Sequence, residues 1–280
     1  MNEEYRGKTI FFLYPLSVIE ELAKELVRNE FEVYLINDKD IMIELLKLYD
    51  KSILYINIDE TSFNEKEWEN YILNIKNDEV LNKKVDIGLL TYKRNEDLIR
   101  KYLFDIGIKC GYIELNLKLA DTIDIMLKTL EANEARGRRK YVRVICGKNI
   151  KFNIEIKDPN STFNKFSING IINNISSFGF AGKIIDEKYK DLLSEKLKFN
   201  SIQLNLKGLL CTVSCEIILK RDDIYIFKFD PSLNPFIKNK IYQFIFKELQ
   251  NNINSEIKII KKNLEDKNKK IDKNNLNLLW

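Results

Sequence analysis

The hydrophobic pattern of this chain changes its period near residue 140, and this change constrains the fold more than any other feature of the sequence. Residues 1–130 alternate short apolar runs with stretches whose apolar side chains recur at helical spacing. Residues 141–230 instead alternate apolar and polar side chains one by one. The first pattern is typical of strands alternating with helices, and the second of half-buried antiparallel strands. A length of 280 residues, 45% of them hydrophobic, supplies a sizeable core and is comfortable for two domains.

The first pattern predicts an α/β domain over residues 1–134. The predicted strands are the apolar runs at 8–14, 31–37, 52–59, 85–92 and 109–115. The stretches that follow them, such as SVIEELAKELVRNE after the first run, carry apolar residues at helical spacing. Five strand–helix units predict a parallel sheet, and the flavodoxin-like strand order is expected at this size.

The second pattern predicts a small antiparallel β-barrel of six strands within residues 135–250. The predicted strands are 149–157, 168–174, 178–185, 201–207, 209–219 and 223–229, with turns at Asp158-Pro159-Asn160 and Arg221-Asp222-Asp223. Residues 234–250 predict an amphipathic C-terminal helix that closes the barrel. Residues 251–280 form a Lys- and Asn-rich C-terminal tail, whose apolar residues Leu276, Leu278, Leu279 and Trp280 are candidates for docking.

Several classes of protein are disfavoured by what the sequence lacks. It has no apolar run of about 18 residues, so no membrane span is expected, and its acidic N-terminus does not resemble a signal peptide, so a cytoplasmic location is expected. It has no histidine, no Walker-type phosphate loop and no nucleophile elbow, so we expect no enzymatic activity and no catalytic residues.

The four cysteines fit no common zinc spacing, so we expect no metal site and no cofactor. These are Cys110, Cys146, Cys211 and Cys215. Buried, reduced thiols are the expectation, with Cys211 and Cys215 on the same face of a strand.

A dense cluster of basic residues lies in one short segment at the predicted domain junction. The stretch RGRRKYVRV, residues 136–144, holds four arginines and one lysine without an acidic residue, although the net charge of the chain is only +4. The Lys-rich tail is also basic, and the remainder of the chain is mildly acidic. This distribution indicates a local anion site more than the broad positive field of a general nucleic-acid binder.

A second polar motif falls at the end of a predicted barrel strand. The segment NNISSFGFAG, residues 173–182, contains the pattern Asn174-x-Ser176-x-x-Gly179. Asn and Ser side chains offer hydrogen-bond donors and acceptors to the edge of a ligand, and Gly permits a close approach of the backbone or a positive φ.

Together, Arg139-x-x-x-Arg143 and Asn174-x-Ser176-x-x-Gly179 resemble the paired motifs of the PilZ family of cyclic di-GMP receptors. FKFDPSLNPFIKNKIYQFI resembles the closing strand and helix of that family, and the resemblance covers about residues 136–250. It implies that the ligand is cyclic di-GMP and that the arginines fold over it as a clamp at the inter-domain junction.

The resemblance also implies a role for each motif residue. Arg139 and Arg143 would bind phosphate and guanine, Asn174 and Ser176 would meet a guanine edge, Gly179 would shape the turn, and Arg138 could add a contact. A guanidinium can form a bidentate pair with a phosphate or with guanine O6 and N7, which suits this ligand. Binding as one ligand or as a stacked dimer stays open.

The first domain resembles a response-regulator receiver domain that has lost part of its phosphorylation site. Asp59 and Thr91 fall after the third and fourth predicted strands, where that family places a phosphoacceptor and a hydroxyl residue. The first strand, however, ends in Tyr14-Pro15 without the acidic pair that would hold magnesium. The resemblance therefore indicates a receiver-like domain used for protein contacts.

The leading hypothesis is a non-enzymatic cyclic di-GMP effector that transmits the ligand signal to an unidentified protein partner, through the first domain or the barrel surface. One alternative is a nucleic-acid-binding protein that uses residues 136–148. Another is a PilZ-like scaffold that binds no ligand.

Overall fold

The computed structural model describes residues 7–157, 165–186, 188 and 192–277. The chain forms two compact units. The α/β unit comprises Met1–Lys140 together with Leu249–Trp280, and the barrel unit comprises Tyr141–Glu248. The division thus falls within the Arg139-x-x-x-Arg143 motif, whereas the sequence places its boundaries after residues 134 and 250. The predicted turn at 158–160 and the predicted docking of Leu278, Leu279 and Trp280 lie outside the described residues.

The α/β unit contains a five-stranded parallel sheet in the order β2-β1-β3-β4-β5. Its strands are β1 (Thr9–Leu13), β2 (Val33–Ile36), β3 (Ser52–Asn57), β4 (Val85–Thr91) and β5 (Tyr112–Glu114). The flavodoxin-like order predicted from the sequence is confirmed. Every residue of β1 and β3 is buried, as continuous apolar runs in a sheet covered on both faces require.

Helices connect these strands. They are α1 (Ser17–Arg28), α2 (Lys39–Leu48), α3 (Glu65–Asn77), α4 (Leu81–Lys84), α5 (Glu96–Arg100) with a π-helical turn at Lys101–Asp105, and α6 (Leu119–Ala132). Helix α1 buries its apolar stripe, including Ile19, Leu22 and Leu26. Helix α3 begins with a capping box, in which Asn64 and Glu67 each bind the other's backbone N–H.

The barrel unit is a closed six-stranded antiparallel barrel, as predicted, with one additional short strand. The strands are β6 (Arg143–Ile145), β7 (Lys151–Lys157), β8 (Lys165–Ser176), β9 (Gly179–Ile184), β10 (Lys198–Leu206), β11 (Leu209–Arg221) and β12 (Ile224–Phe229). Pairing runs β8-β7-β10-β11-β12-β9 and returns from β9 to β8, while β6 joins the end of β8.

The interior of the barrel is filled by the inward-facing residues of its alternating strands. The rings of Phe152, Phe180 and Phe227 meet there, with centroids 4.5–5.2 Å apart. Cys211 and Cys215 both point inward from β11 and are buried, which confirms that they share a face. Cys110 is also buried and Cys146 is partly exposed, and all four thiols are free.

The C-terminal helix α7 (Pro235–Asn277) is longer than the predicted helix at 234–250, because it continues through the predicted tail. Its first part belongs to the barrel unit, where Ile241, Phe244 and Ile245 are buried and Lys207 forms an ion pair of 2.7 Å with the buried Glu248. Among the helices in the described part of the chain, none combines the length and the apolar character that a membrane span requires.

The second part of α7 covers the edge of the parallel sheet within the α/β unit. The Gln250 side chain accepts a hydrogen bond from the Leu35 N–H and donates one to the Val33 carbonyl, both at 3.0 Å. These are the two bonds that a residue of a further parallel strand would make with β2. The Tyr49 hydroxyl also donates to Glu256 at 3.1 Å, and Lys261 lies 3.2 Å from Asp38. Part of the predicted tail is therefore a structural element of the first domain.

Replacing Gln250 with Met is expected to lower the free energy of unfolding of the α/β unit by about 1–3 kcal/mol, because two backbone groups of β2 lose their partners. Urea unfolding followed by tryptophan fluorescence, to which the buried Trp68 of this unit contributes, measures the loss. Exchange of the Leu35 amide with solvent should become faster. The control is Gln243→Met at an exposed position of the same helix. Equal stability of the two variants would contradict the edge-covering role.

Candidate functional site

The pairing of β6 with β8 places two of the predicted motifs side by side. Arg143 lies directly opposite Ser176, and Ile145 lies opposite Asn174. The residues between them, Val144 and Ile175, are also opposite each other and are buried in the barrel. Because side chains alternate between the two faces of a strand, Arg143, Asn174 and Ser176 share the outer face.

The β8–β9 turn is held by the Ser176 side chain. Its hydroxyl donates to the Gly179 carbonyl at 3.2 Å and accepts from the Phe178 N–H at 3.3 Å. Ser176 is buried, with 5% of its surface exposed. A hydroxyl has one donor and two acceptor lone pairs, so the two bonds within the turn use the donor and one lone pair of Ser176. The serine of the motif therefore fixes the shape of the turn in addition to any contact with a ligand.

Gly179 is needed for close packing. A β-carbon on this residue would overlap the carbonyl oxygen of Phe227 and approach the Lys228 Cα to 3.0 Å. Gly179 begins β9, where it pairs with Lys228 of β12. Of the two roles that the sequence allows for this glycine, a close approach of the backbone and a positive φ, the structure shows the close approach.

An aromatic pair joins the two motifs across their loops. Tyr141, inside the arginine motif, stacks on Phe178, inside the Asn-Ser-Gly motif, with ring centroids 5.0 Å apart and an interplanar angle of 19°. Both rings are partly exposed. This pair is not among the residues predicted from the sequence, although both motifs contain an aromatic residue.

The remaining arginines precede β6 in irregular backbone. Arg138 and Arg139 are exposed and lie in the last residues of the α/β unit before the barrel unit begins at Tyr141. Arg136 is engaged in that unit, where its guanidinium donates to the Asn29 carbonyl at 3.1 Å and lies 4.4 Å from the centre of the Phe31 ring. The structure therefore brings together Arg143, Asn174, Ser176 and Gly179, while Arg138 and Arg139 are linked to them through the chain.

Asp59 of the α/β unit is held by hydrogen bonds at the carboxyl ends of β3 and β4. Its carboxylate accepts from the Thr91 hydroxyl at 2.9 Å and from the Tyr92 N–H at 2.5 Å. The Asn57 side chain donates to the Tyr14 carbonyl at 2.9 Å and thereby links β3 to the end of β1. In the described part of the chain, no group of three or more His, Cys, Asp or Glu side chains is arranged to hold a metal.

Replacing Gly179 with Ala is expected to destabilise the barrel by about 1–3 kcal/mol or more, because the new methyl group has no room beside Phe227. Thermal unfolding monitored by circular dichroism measures the loss. Gly147→Ala is the matched control, since a β-carbon there meets nothing within 4 Å. A Gly179→Ala variant as stable as the control would show that the turn can relax.

The fold thus combines a flavodoxin-like α/β unit with a closed antiparallel barrel that carries a polar, arginine-containing patch on its outer face. No protein-family model matches the sequence, and no curated protein matches it either.

The C-terminal region is similar in structure to PilZ domains. One such structure is the PilZ domain with c-di-GMP of YcgR from Escherichia coli, at 16% identity and a TM-score of 0.32, covering 40% of this chain and 91% of that one. Another is the K. pneumonia MrkH–c-di-GMP complex, at 16% identity and a TM-score of 0.29, covering 40% and 52%. A third is the Borreliella burgdorferi PlzA protein in complex with c-di-GMP, at 12% identity and a TM-score of 0.26, covering 46% and 49%. This chain therefore spans about half the length of the latter two proteins.

Proposed function

We propose that this chain is a non-enzymatic receptor for cyclic di-GMP, which binds on the outer face of the barrel beside the β8–β9 turn. The observation that carries the proposal is the β6–β8 register, which sets Arg143 of one motif against Ser176 of the other. Two motifs separated by thirty residues of chain become one surface through this pairing. The identity of the ligand follows from the resemblance of the paired motifs to the PilZ family.

The chemistry of the patch suits a cyclic dinucleotide. Arg143 is exposed at the edge of the barrel, and its guanidinium can pair in bidentate fashion with a phosphate or with guanine O6 and N7. Asn174 offers a carboxamide with both donors and an acceptor for a guanine edge. Arg138 and Arg139 would reach the ligand from the preceding segment, and Gly179 keeps the turn close to β12.

The same arrangement suggests how binding could be transmitted. Residues 133–142 connect α6 to β6 without regular secondary structure. A ligand that engages Arg138, Arg139 and Arg143 together would order this connection, because simultaneous contacts with one ligand restrict the conformations of the backbone between these residues. The ordered connection is the signal that a protein partner would recognise, on the α/β unit or on the barrel surface.

Isothermal titration of the full chain with cyclic di-GMP tests the receptor function. Saturable binding with a dissociation constant in the low micromolar range or below is expected for the wild type. The Arg139→Ala/Arg143→Ala double variant should lose it, since each bidentate arginine pair contributes roughly 1–3 kcal/mol. Lys148→Ala, which removes an exposed cation outside both motifs, is the control. A folded wild-type chain that does not bind would refute the proposal.

Titration of the same variants with DNA or RNA distinguishes the receptor from a nucleic-acid-binding protein. Binding of DNA or RNA through residues 136–148 should depend on every exposed cation of the cluster, including Lys148, and should weaken steeply with salt.

Hydrogen–deuterium exchange tests the ordering of the connection. Saturating ligand is expected to slow exchange of the backbone amides of residues 138–142 in the wild type, because the arginines that flank them become fixed. The Arg143→Ala variant, measured at the same ligand concentration, is expected to show no slowing. Unchanged exchange in a wild-type chain that titration shows to be saturated would exclude the clamp.

A further inference from the structure

A continuous row of paired positions crosses four strands on the outer face of the barrel. Arg143 of β6 lies opposite Ser176 of β8, the Ser176 hydroxyl donates to the Gly179 carbonyl at the start of β9, and Gly179 lies opposite Lys228 of β12. Neighbouring strands are separated by about 4.8 Å, so the row spans roughly 14 Å. It begins with one basic residue and ends with another, and Ser176 and Gly179 of the Asn-Ser-Gly motif lie between them.

Lys228 faces the motif. Its neighbours Phe227 and Phe229 are buried in the barrel, so Lys228 points to the outer face. The Lys228 Nζ lies 5.5 Å from the centre of the Phe178 ring, and Phe178 in turn stacks on Tyr141. The ammonium group is therefore attracted to the face of an aromatic ring that belongs to the turn itself.

Two carboxylates lie near Lys228 and compete for its charge. Glu216 is its partner across the β11–β12 pair, and Asp230 follows it by two residues. The Asp230 carboxylate accepts hydrogen bonds from the backbone N–H and the hydroxyl of Ser232, which lower its pKa. The charges of Lys198 and Lys228 lower the pKa of Asp230 further, so Asp230 competes for the Lys228 ammonium group together with Glu216.

We infer that Lys228 is a further binding residue of this site and contacts a phosphate oxygen of the cyclic dinucleotide. The inference rests on the proposed function. Cyclic di-GMP carries two phosphates, so it can accept a cationic contact from Lys228 in addition to those of the arginine segment. Lys228 supplies positive charge from the other end of the row. Its compact ammonium group on a flexible stem can move from the Phe178 ring to a phosphate without a change in the backbone.

The test compares variants that separate the charge of Lys228 from its packing. Lys228→Met keeps an unbranched stem against Phe178 but removes the charge, whereas Lys228→Arg keeps a positive charge. Titration of the full chain with cyclic di-GMP should show roughly tenfold weaker binding for Lys228→Met and near wild-type binding for Lys228→Arg. Lys151→Met, at an exposed position of β7, is the matched control.

The dependence of affinity on salt provides a readout that a purely structural role would not change. Wild-type affinity should fall more steeply with salt concentration than the affinity of Lys228→Met, because one phosphate contact is missing in the variant. Circular dichroism verifies that Lys228→Met and Lys228→Arg are folded. If Lys228→Met is not folded, Lys228→Gln replaces it as the variant without the charge.

The possible results distinguish the two proposals. If the wild type binds and Lys228→Met binds equally well with the same salt dependence, the role of Lys228 is refuted while the receptor function stands. If Lys228→Arg binds as weakly as Lys228→Met, the lysine acts through packing and the inference is also refuted. If the folded wild type does not bind at all, the receptor function and the role of Lys228 fall together.

Discussion

The pairing of β8 with its neighbours is the interaction on which the candidate site depends. This twelve-residue strand pairs with β7 along one edge and with β9 along the other, which closes the barrel. Its last three residues extend past β7 and pair with β6 instead. On the opposite edge of β8, the β8–β9 ladder has a register shift between Ile172 and Asn174. One strand therefore closes the barrel and also holds the arginine motif against the Asn-Ser-Gly motif, because its two ends have different partners.

The α/β unit depends in a similar way on a segment that is distant in sequence. Strand β2 is an edge strand, whose outward N–H and C=O groups require partners. Gln250 of α7 supplies them through a side-chain amide, about 215 residues along the chain. Because α7 begins in the barrel unit and its later residues belong to the α/β unit, the α/β unit is formed by two separate stretches of sequence, whereas the barrel unit is one continuous stretch. The predicted C-terminal tail is therefore part of the fold of the α/β unit.

Much of the fold could be predicted because it follows from local periodicity. Apolar runs such as TIFFL are buried on both faces, and alternating segments such as KFNIEIK bury one face. The pattern of apolar residues within each strand therefore predicts which of its faces are buried. The site was predictable only in part. The two motifs are visible in the sequence, whereas Lys228 is one lysine among many until strand pairing sets it beside Gly179. Tyr141 and Phe178 also become a pair only when their loops meet.

The sequence by itself therefore determined the class of each half, the positions of the strands and the two motifs, because these depend on residue type and spacing over short distances. Only the tertiary structure decided which residues face one another. It set Arg143 against Ser176, committed the Ser176 hydroxyl to its own turn, directed Arg136 to Asn29 and placed Gln250 on the edge of β2. The physical reason is that register and long-range hydrogen bonds are fixed by the packing of whole strands and helices, and no local pattern encodes that packing.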